Sequence, residues 1–144
     1  MKTIAPHVVR TLLGLVFFVF GLNGFLHFIS QPPPPESAAR FFELFAGSYL
    51  MPFVKGTEVV VGLMLLSNRF VPLALAVLAP ITLNIFVVHA TLAPSGLGMA
   101  VVILALQLGL AWTYRAAYLP MLQAKTKPTT SDRVQSLQPA SSVS

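Results

Sequence analysis

Apolar residues run in four long blocks along this chain, and the polar residues gather in the gaps between them. The first block extends from about Val8 to Ile29 and ends at "QPPPPE", where four consecutive prolines forbid a continuing helix. The second extends from about Tyr49 to Ser67, and Asn68 and Arg69 then form a short turn. Pro72 suits the first turn of the third block, which reaches about Leu92 and stops before Pro94. Ser95 and Gly96 cap a fourth, from about Leu97 to Tyr118, closed by Pro120. Each block approaches the ~20 apolar residues that an α-helix needs to cross a bilayer. The pattern predicts an all-α protein, a four-helix integral membrane bundle with spans at about 8–29, 49–67, 72–92 and 97–118.

Two segments lie outside the four blocks. In "SAARFFELFAGS", Phe41, Leu44 and Phe45 fall on one helical face and Arg40 and Glu43 on another. This spacing predicts a short amphipathic helix lying in the membrane interface between the first two spans. From Gln123 the sequence turns polar and rich in Ser, Thr, Gln and Pro, which predicts a disordered tail over 123–144 beyond a transmembrane domain of 1–122. The first block is longer than the ~7–15-residue core of a secretory signal, and no small-residue cleavage site follows it, so it is read as a retained helix.

Composition agrees with lipid as the solvent. Charged residues make up 9% of the chain and hydrophobic residues 56%, with a mean hydropathy of +0.80; a soluble domain carries roughly 25% charged residues. The net charge of +5 comes from scattered basic residues that flank the apolar blocks, a placement that fits membrane orientation rather than a nucleic-acid surface. With the N-terminus inside, Lys2, Arg10, Arg69, Arg115, Lys125, Lys127 and Arg133 fall on the cytoplasmic side, leaving Arg40 in an outer loop. Both termini are therefore expected in the cytoplasm. The absence of cysteine excludes thiol chemistry by this chain alone.

A few polar residues interrupt the apolar blocks. "FVKGTEVVVGLMLL" carries Lys55 and Glu58, three residues apart and close enough on a helix to pair. Asn23 and His27 share a face of the first span, and Asn84 and His89 lie in the third. In the expected topology all six fall in the outer leaflet, which predicts a polar cluster drawn from three helices, with Asn84 facing the bundle and His89 diverging from it. Gln107 in the fourth span is a further contributor. An unpaired charge at the membrane centre costs ~2.5–3.5 kcal/mol, so Lys55 and Glu58 are expected to pair and to face other helices. Such residues mark a candidate ligand site, while a purely structural ion pair accounts for them as well. His27 and His89 also suit interfacial positions. Pro80 is expected to kink the third span between Ala76 and Pro80. No catalytic triad, phosphate-cradling loop or metal-ligand spacing appears, and His7, His27 and His89 are too dispersed to predict haem ligation.

The segments "LLGLVFFVFGLNGFLHFI", "PPPPE", "LMPFVKGTEVVVGLMLLSNRFVPLALAVLAPITLNIFVVH" and "LAPSGLGMAVVILALQLGLAWTYRAAYLPML" resemble the DoxX family of small bacterial membrane proteins. The resemblance implies a four-helix protein of the bacterial inner membrane. It also implies links to quinone-coupled redox chemistry or to oxidative-stress complexes, with a membrane or soluble oxidoreductase as partner. It assigns no catalytic residue. Three readings follow: a redox-associated subunit holding a quinone-like molecule in the outer-leaflet cluster, a small proton-coupled permease, or a structural assembly partner surrounded by membrane lipid.

Overall fold

The computed structural model describes residues 4–129. Its helices are α1 (Ile4–Leu26), α2 (Glu36–Ala46), α3 (Leu50–Leu66), α4 (Val71–Thr91), α5 (Leu97–Thr113) and the single turn α6 (Arg115–Tyr118), with 3-10 turns at Pro94–Gly96 and Leu119–Leu122. No strand occurs among the described residues. α1, α4 and the segment 94–113 are each long and apolar enough to cross a membrane. α3 is a 17-residue helix that meets α2 at a bend of 84°, and it provides a fourth span if that pair is taken together. Lys2, Arg133 and the expected tail from residue 130 onward lie outside the described residues.

The long helices close a ring in which α1 packs on α3, α3 on α4, α4 on α5 and α5 back on α1. The α1–α3 contact is the most extensive, and glycine makes it possible. A Cβ on Gly62 would stand 2.6 Å from the Phe18 backbone nitrogen, and one on Gly21 would stand 2.9 Å from the Val59 nitrogen. In each case the obstacle is backbone, which cannot swing aside as a side chain can. Gly14 faces Leu66 and Gly24 faces Lys55, so the pairing Gly14–Leu66, Phe18–Gly62, Gly21–Val59 and Gly24–Lys55 is one antiparallel register. Leu13 and Phe17 of α1, Val61 and Leu65 of α3, Leu75 and Leu78 of α4 and Leu110 of α5 bury the apolar core near the α3–α4 turn. Much of the remaining apolar surface points outward, including Leu12, Leu63, Leu83, Val102 and Leu108. Helices apolar on all sides are suited to hydrocarbon.

Local chemistry sets the helix ends. α1 stops at Leu26 rather than at the expected Ile29, because His27 takes the left-handed conformation (φ 51°). The His27 N–H still donates to the Asn23 carbonyl at 3.0 Å, closing the last turn. At the end of α3, Asn68 is left-handed (φ 55°), and the N–H groups of Asn68 and Arg69 return to the carbonyls of Leu65 and Met64. This double closure is the Schellman cap, with asparagine in the position that glycine usually takes.

The fourth span also ends early, at Thr113 instead of Tyr118. There Arg115 donates to the Trp112 carbonyl at 3.0 Å, and its guanidinium lies 5.1 Å from the Trp112 ring centroid. The chain then turns so that the Tyr118 hydroxyl donates to the Pro72 carbonyl at 2.7 Å, tying the end of α6 to the start of α4. Burial, and secondarily Tyr114 beside it, raise the Tyr118 phenol above the usual tyrosine range, so it stays a donor through neutral pH.

The segment 36–46 is helical as expected, and the Phe41 and Phe45 rings stack on it with centroids 6.3 Å apart. Ser37 fixes its start by donating to the Leu92 carbonyl at 2.5 Å, while Ala38 is fully buried.

The glycine seam yields a direct test. Gly62→Ala is expected to destabilise the bundle by roughly 1–3 kcal/mol, the usual penalty for overpacking. Gly109→Ala, where a new Cβ meets nothing within 4 Å, is expected to be neutral or to stabilise by up to about 1 kcal/mol through helix propensity. Unfolding titrations of both variants in the same detergent micelles measure the contrast.

Candidate functional site

The polar residues of the spans divide into several separate arrangements. On α3, Lys55 and Glu58 form an ion pair with Nζ to Oε2 at 2.9 Å. Both charges turn toward α1, as their cost in hydrocarbon demands. The Lys55 stem lies across Gly24, where a Cβ would come within 2.4 Å of its Cγ, and the Glu58 Cβ rests against Gly21 at 3.1 Å from the position of a Cβ there. The Glu58 side chain is 5% exposed and that of Lys55 is 24% exposed. The carboxylate is thus sealed in the α1–α3 seam, while the ammonium reaches its edge.

Asn23 is buried on α1, but its amide serves the chain end. Its Oδ1 accepts from the Ile29 N–H at 2.7 Å and its Nδ2 donates to the Ile29 carbonyl at 3.3 Å. Both functions of the amide therefore hold the turn after α1. His27, in that turn, is exposed.

The α4 residues depart from expectation. Asn84, expected to face the bundle, is exposed on the outer surface of α4 and makes no hydrogen bond among the described residues. The reason is the register of the helix: Thr82, Leu78 and Leu75 occupy the buried face, and a residue two positions from Thr82 lies about 200° around the axis. His89 is half-buried, with Nδ1 2.7 Å from the Ile85 carbonyl and its ring packed over Gly96. Of the six candidate residues, the structure joins Lys55 and Glu58 at the α1–α3 seam, holds Asn23 and His89 to nearby backbone, and leaves His27 and Asn84 exposed.

Gln107 participates in a different junction. Its Oε1 accepts from the Thr82 hydroxyl, and its Nε2 donates to the Leu75 carbonyl at 3.1 Å. These bonds cross from α5 to α4 on either side of Pro80, whose ring supplies no N–H to the turn before it. All three groups are buried, so the junction ties α5 to α4 on both sides of Pro80.

Arg10 has a role that charge counting misses. Counted on the cytoplasmic side by the Lys/Arg distribution, it is buried within the bundle, and its guanidinium donates to the Leu65 carbonyl and, at 3.4 Å, to that of Leu66. A cation at these C-terminal carbonyls also opposes the negative end of the helix dipole. Its position one helical turn before Gly14, on the face that carries the α1–α3 contact, is the signal the sequence offers.

Elsewhere on α3, a groove of about 430 Å³ runs between α3 and α4, lined by Phe53, Gly56, Thr57, Val60, Leu73 and Val77 among others. Its lining is apolar, and the Thr57 hydroxyl donates to the Phe53 carbonyl at 2.8 Å. Among the described residues, no group of three or more His, Asp or Glu is placed to hold a metal ion.

A family model for DoxX matches residues 5–90. The chain belongs to the DoxX family. The match spans α1 to α4 and so contains the glycine seam and the ion pair, while α5 and Gln107 lie beyond it. Family and helices together make this DoxX chain a multi-pass membrane protein in contact with lipid. No curated protein and no solved structure matches it.

Lys55→Met removes the partner of a carboxylate too short to reach the interface, whereas Glu58→Leu leaves a lysine whose long stem can extend toward water. Lys55→Met is therefore expected to destabilise the protein by about 1–3 kcal/mol more than Glu58→Leu, on the scale set by unpaired charge in a membrane. Thermal unfolding in matched micelles at neutral pH measures the order, and a larger loss for Glu58→Leu contradicts this account of the pair.

Proposed function

We propose that this DoxX chain is a membrane assembly subunit, a bundle whose internal polar groups set its geometry while its outer face meets a partner. The observation that carries the reading is where the hydrogen bonds go. Lys55 pairs with Glu58, Asn23 closes on Ile29, Gln107 joins Thr82 to Leu75, and Arg10 caps α3. Each arrangement braces a helix end, the α4–α5 junction or the α1–α3 seam. A substrate path across the membrane needs polar groups in sequence along one route, and these groups are committed to separate junctions, which argues against the permease. The proposed setting is the bacterial inner membrane with both termini in the cytoplasm, in keeping with the basic residues flanking the spans.

A second reading rests on the partial exposure of Lys55. As a redox-associated subunit beside an oxidoreductase, the protein would present the Lys55 ammonium to a carbonyl oxygen of a quinone-like molecule at the edge of the seam, exchanging one acceptor for another. The quinone would supply the electron-carrying ring. The protein would supply a donor and an apolar surround.

The double variant Lys55→Met/Glu58→Leu separates the readings, since it removes both charges together and leaves no uncompensated group. Under the assembly reading, the folded double variant migrates in the same membrane complex as the wild type on native gels and supports the same cellular phenotype. Under the ligand reading, it folds but loses binding of a short-chain ubiquinone or menaquinone analogue, measured by fluorescence titration in nanodiscs. A folded double variant that falls out of its complex contradicts the assembly role.

A further inference from the structure

Leu73, Val77, Pro80, Asn84, Val87 and Thr91 are all exposed on α4. Their spacing is four, three, four, three and four, which is the seam of a coiled coil: positions recurring every 3.5 residues stay in line along a partner helix that coils about the first. Asn84 lies in the middle of this stripe. The midpoint of α4 is residue 81, so Asn84 stands about 5 Å from it along the axis. Its short side chain cannot reach a lipid headgroup from that depth. An exposed amide with no partner among the described residues is an unmet demand for donors and an acceptor in hydrocarbon.

We propose that this stripe is the interface of a homodimer, with Asn84 paired to its counterpart in a second copy. The inference rests on the assembly reading above and names its partner. Two copies inserted in the same direction relate by a two-fold axis along the membrane normal, and a residue beside that axis meets itself at the same depth. The amide is self-complementary, because the carbonyl of each accepts from the NH2 of the other. A foreign helix would have to offer a polar group at this depth by design; a second copy does so by symmetry. Val87, the next position of the stripe on one side, and Val77, two positions away beyond Pro80 on the other, supply the apolar packing. An asparagine in a coiled-coil seam also selects register, since a slip of one turn leaves both amides facing apolar side chains. Pro80 belongs to the same face. It deprives the Ala76 carbonyl of its normal amide partner, adding an acceptor to the side where the second copy docks.

The chain contains no cysteine, so single cysteines report position cleanly. V77C and V87C on the stripe, and V102C and L108C on the exposed surface of α5, are reconstituted separately in phosphatidylethanolamine–phosphatidylglycerol vesicles at low protein-to-lipid ratio and oxidised with copper phenanthroline. Disulfide-linked dimers at both stripe positions and not at the α5 positions support the proposal; equal linkage at all four, linkage on α5 alone, or none overturns it. In the V87C background, Asn84→Leu is expected to weaken dimerisation roughly five- to thirtyfold, the loss of a membrane hydrogen bond of ~1–2 kcal/mol. Its helicity and melting should stay those of the parent, because the side chain makes no hydrogen bond among the described residues. Unchanged dimerisation overturns the role of Asn84. A benzophenone maleimide on V87C in native membranes distinguishes the two levels: capture of a different protein with no self-product overturns the second copy while leaving the assembly role standing, and capture of no protein overturns both.

Discussion

The approach of α1 to α3 is the constraint on which the other contacts depend. Between helices in lipid there is little hydrophobic driving force, since acyl chains solvate apolar side chains as well as a neighbouring helix does. Association then relies on close packing, and glycine allows two backbones to reach van der Waals contact. Gly62 against Phe18 and Gly21 against Val59 achieve this on opposite helices. Once they are in place the register is fixed over the whole length of the pair. At one end Arg10 meets the carbonyls of Leu65 and Leu66; about 21 Å away along α1, Gly24 gives room to the Lys55 stem. Both ends of α3 are thus managed by residues of α1.

The second constraint is the price of leaving a polar group alone in hydrocarbon. It explains why the buried polar side chains so often have backbone as partner. Helix ends, the turn after α1 and the proline inside α4 all leave N–H or C=O groups without a partner in the helix ladder. Asn23 and Arg10 lie where such groups occur and bond to them, and Gln107 reaches the Leu75 carbonyl next to the one that Pro80 leaves unpaired. Lys55 and Glu58 differ, since each has the other as partner and neither serves the backbone. Asn84 differs again, carrying the same kind of demand outward from the bundle.

Much of the fold is legible in the apolar blocks because length and proline placement nearly determine where spans lie. The central two helices, expected at 49–67 and 72–92, form at Leu50–Leu66 and Val71–Thr91. The ends that differ do so for reasons of backbone conformation or of long-range contact. A left-handed His27 stops α1, and the turn carrying Tyr118 to Pro72 follows the end of α5. The pairing of Lys55 with Glu58 follows from their spacing. Which way α4 turns does not. Apolar residues surround that helix on every side, so its sequence has no polar face to point away from the core. The buried face is decided by Gln107 meeting Thr82 and by small volumes at Ala74, facts that belong to the neighbouring helix as much as to α4. Arg10 was hidden for a related reason: a cation near a helix start reads as an interfacial charge until the carbonyls of another helix are placed beside it.

The ion pair and the glycines also answer different parts of one problem. Gly14 and Gly21 are seven residues apart, so sliding α1 by two turns along α3 would again place a glycine opposite Val59. Apolar packing alone discriminates poorly between these registers. The charges discriminate well. A seven-residue slip moves Arg10 roughly 10 Å from the α3 carbonyls and replaces Gly24 with Phe17 opposite the Lys55 stem. The seal around Glu58 then opens, and two cations lose their places at once. Charged residues that add little to stability can in this way exclude the alternative that glycine permits.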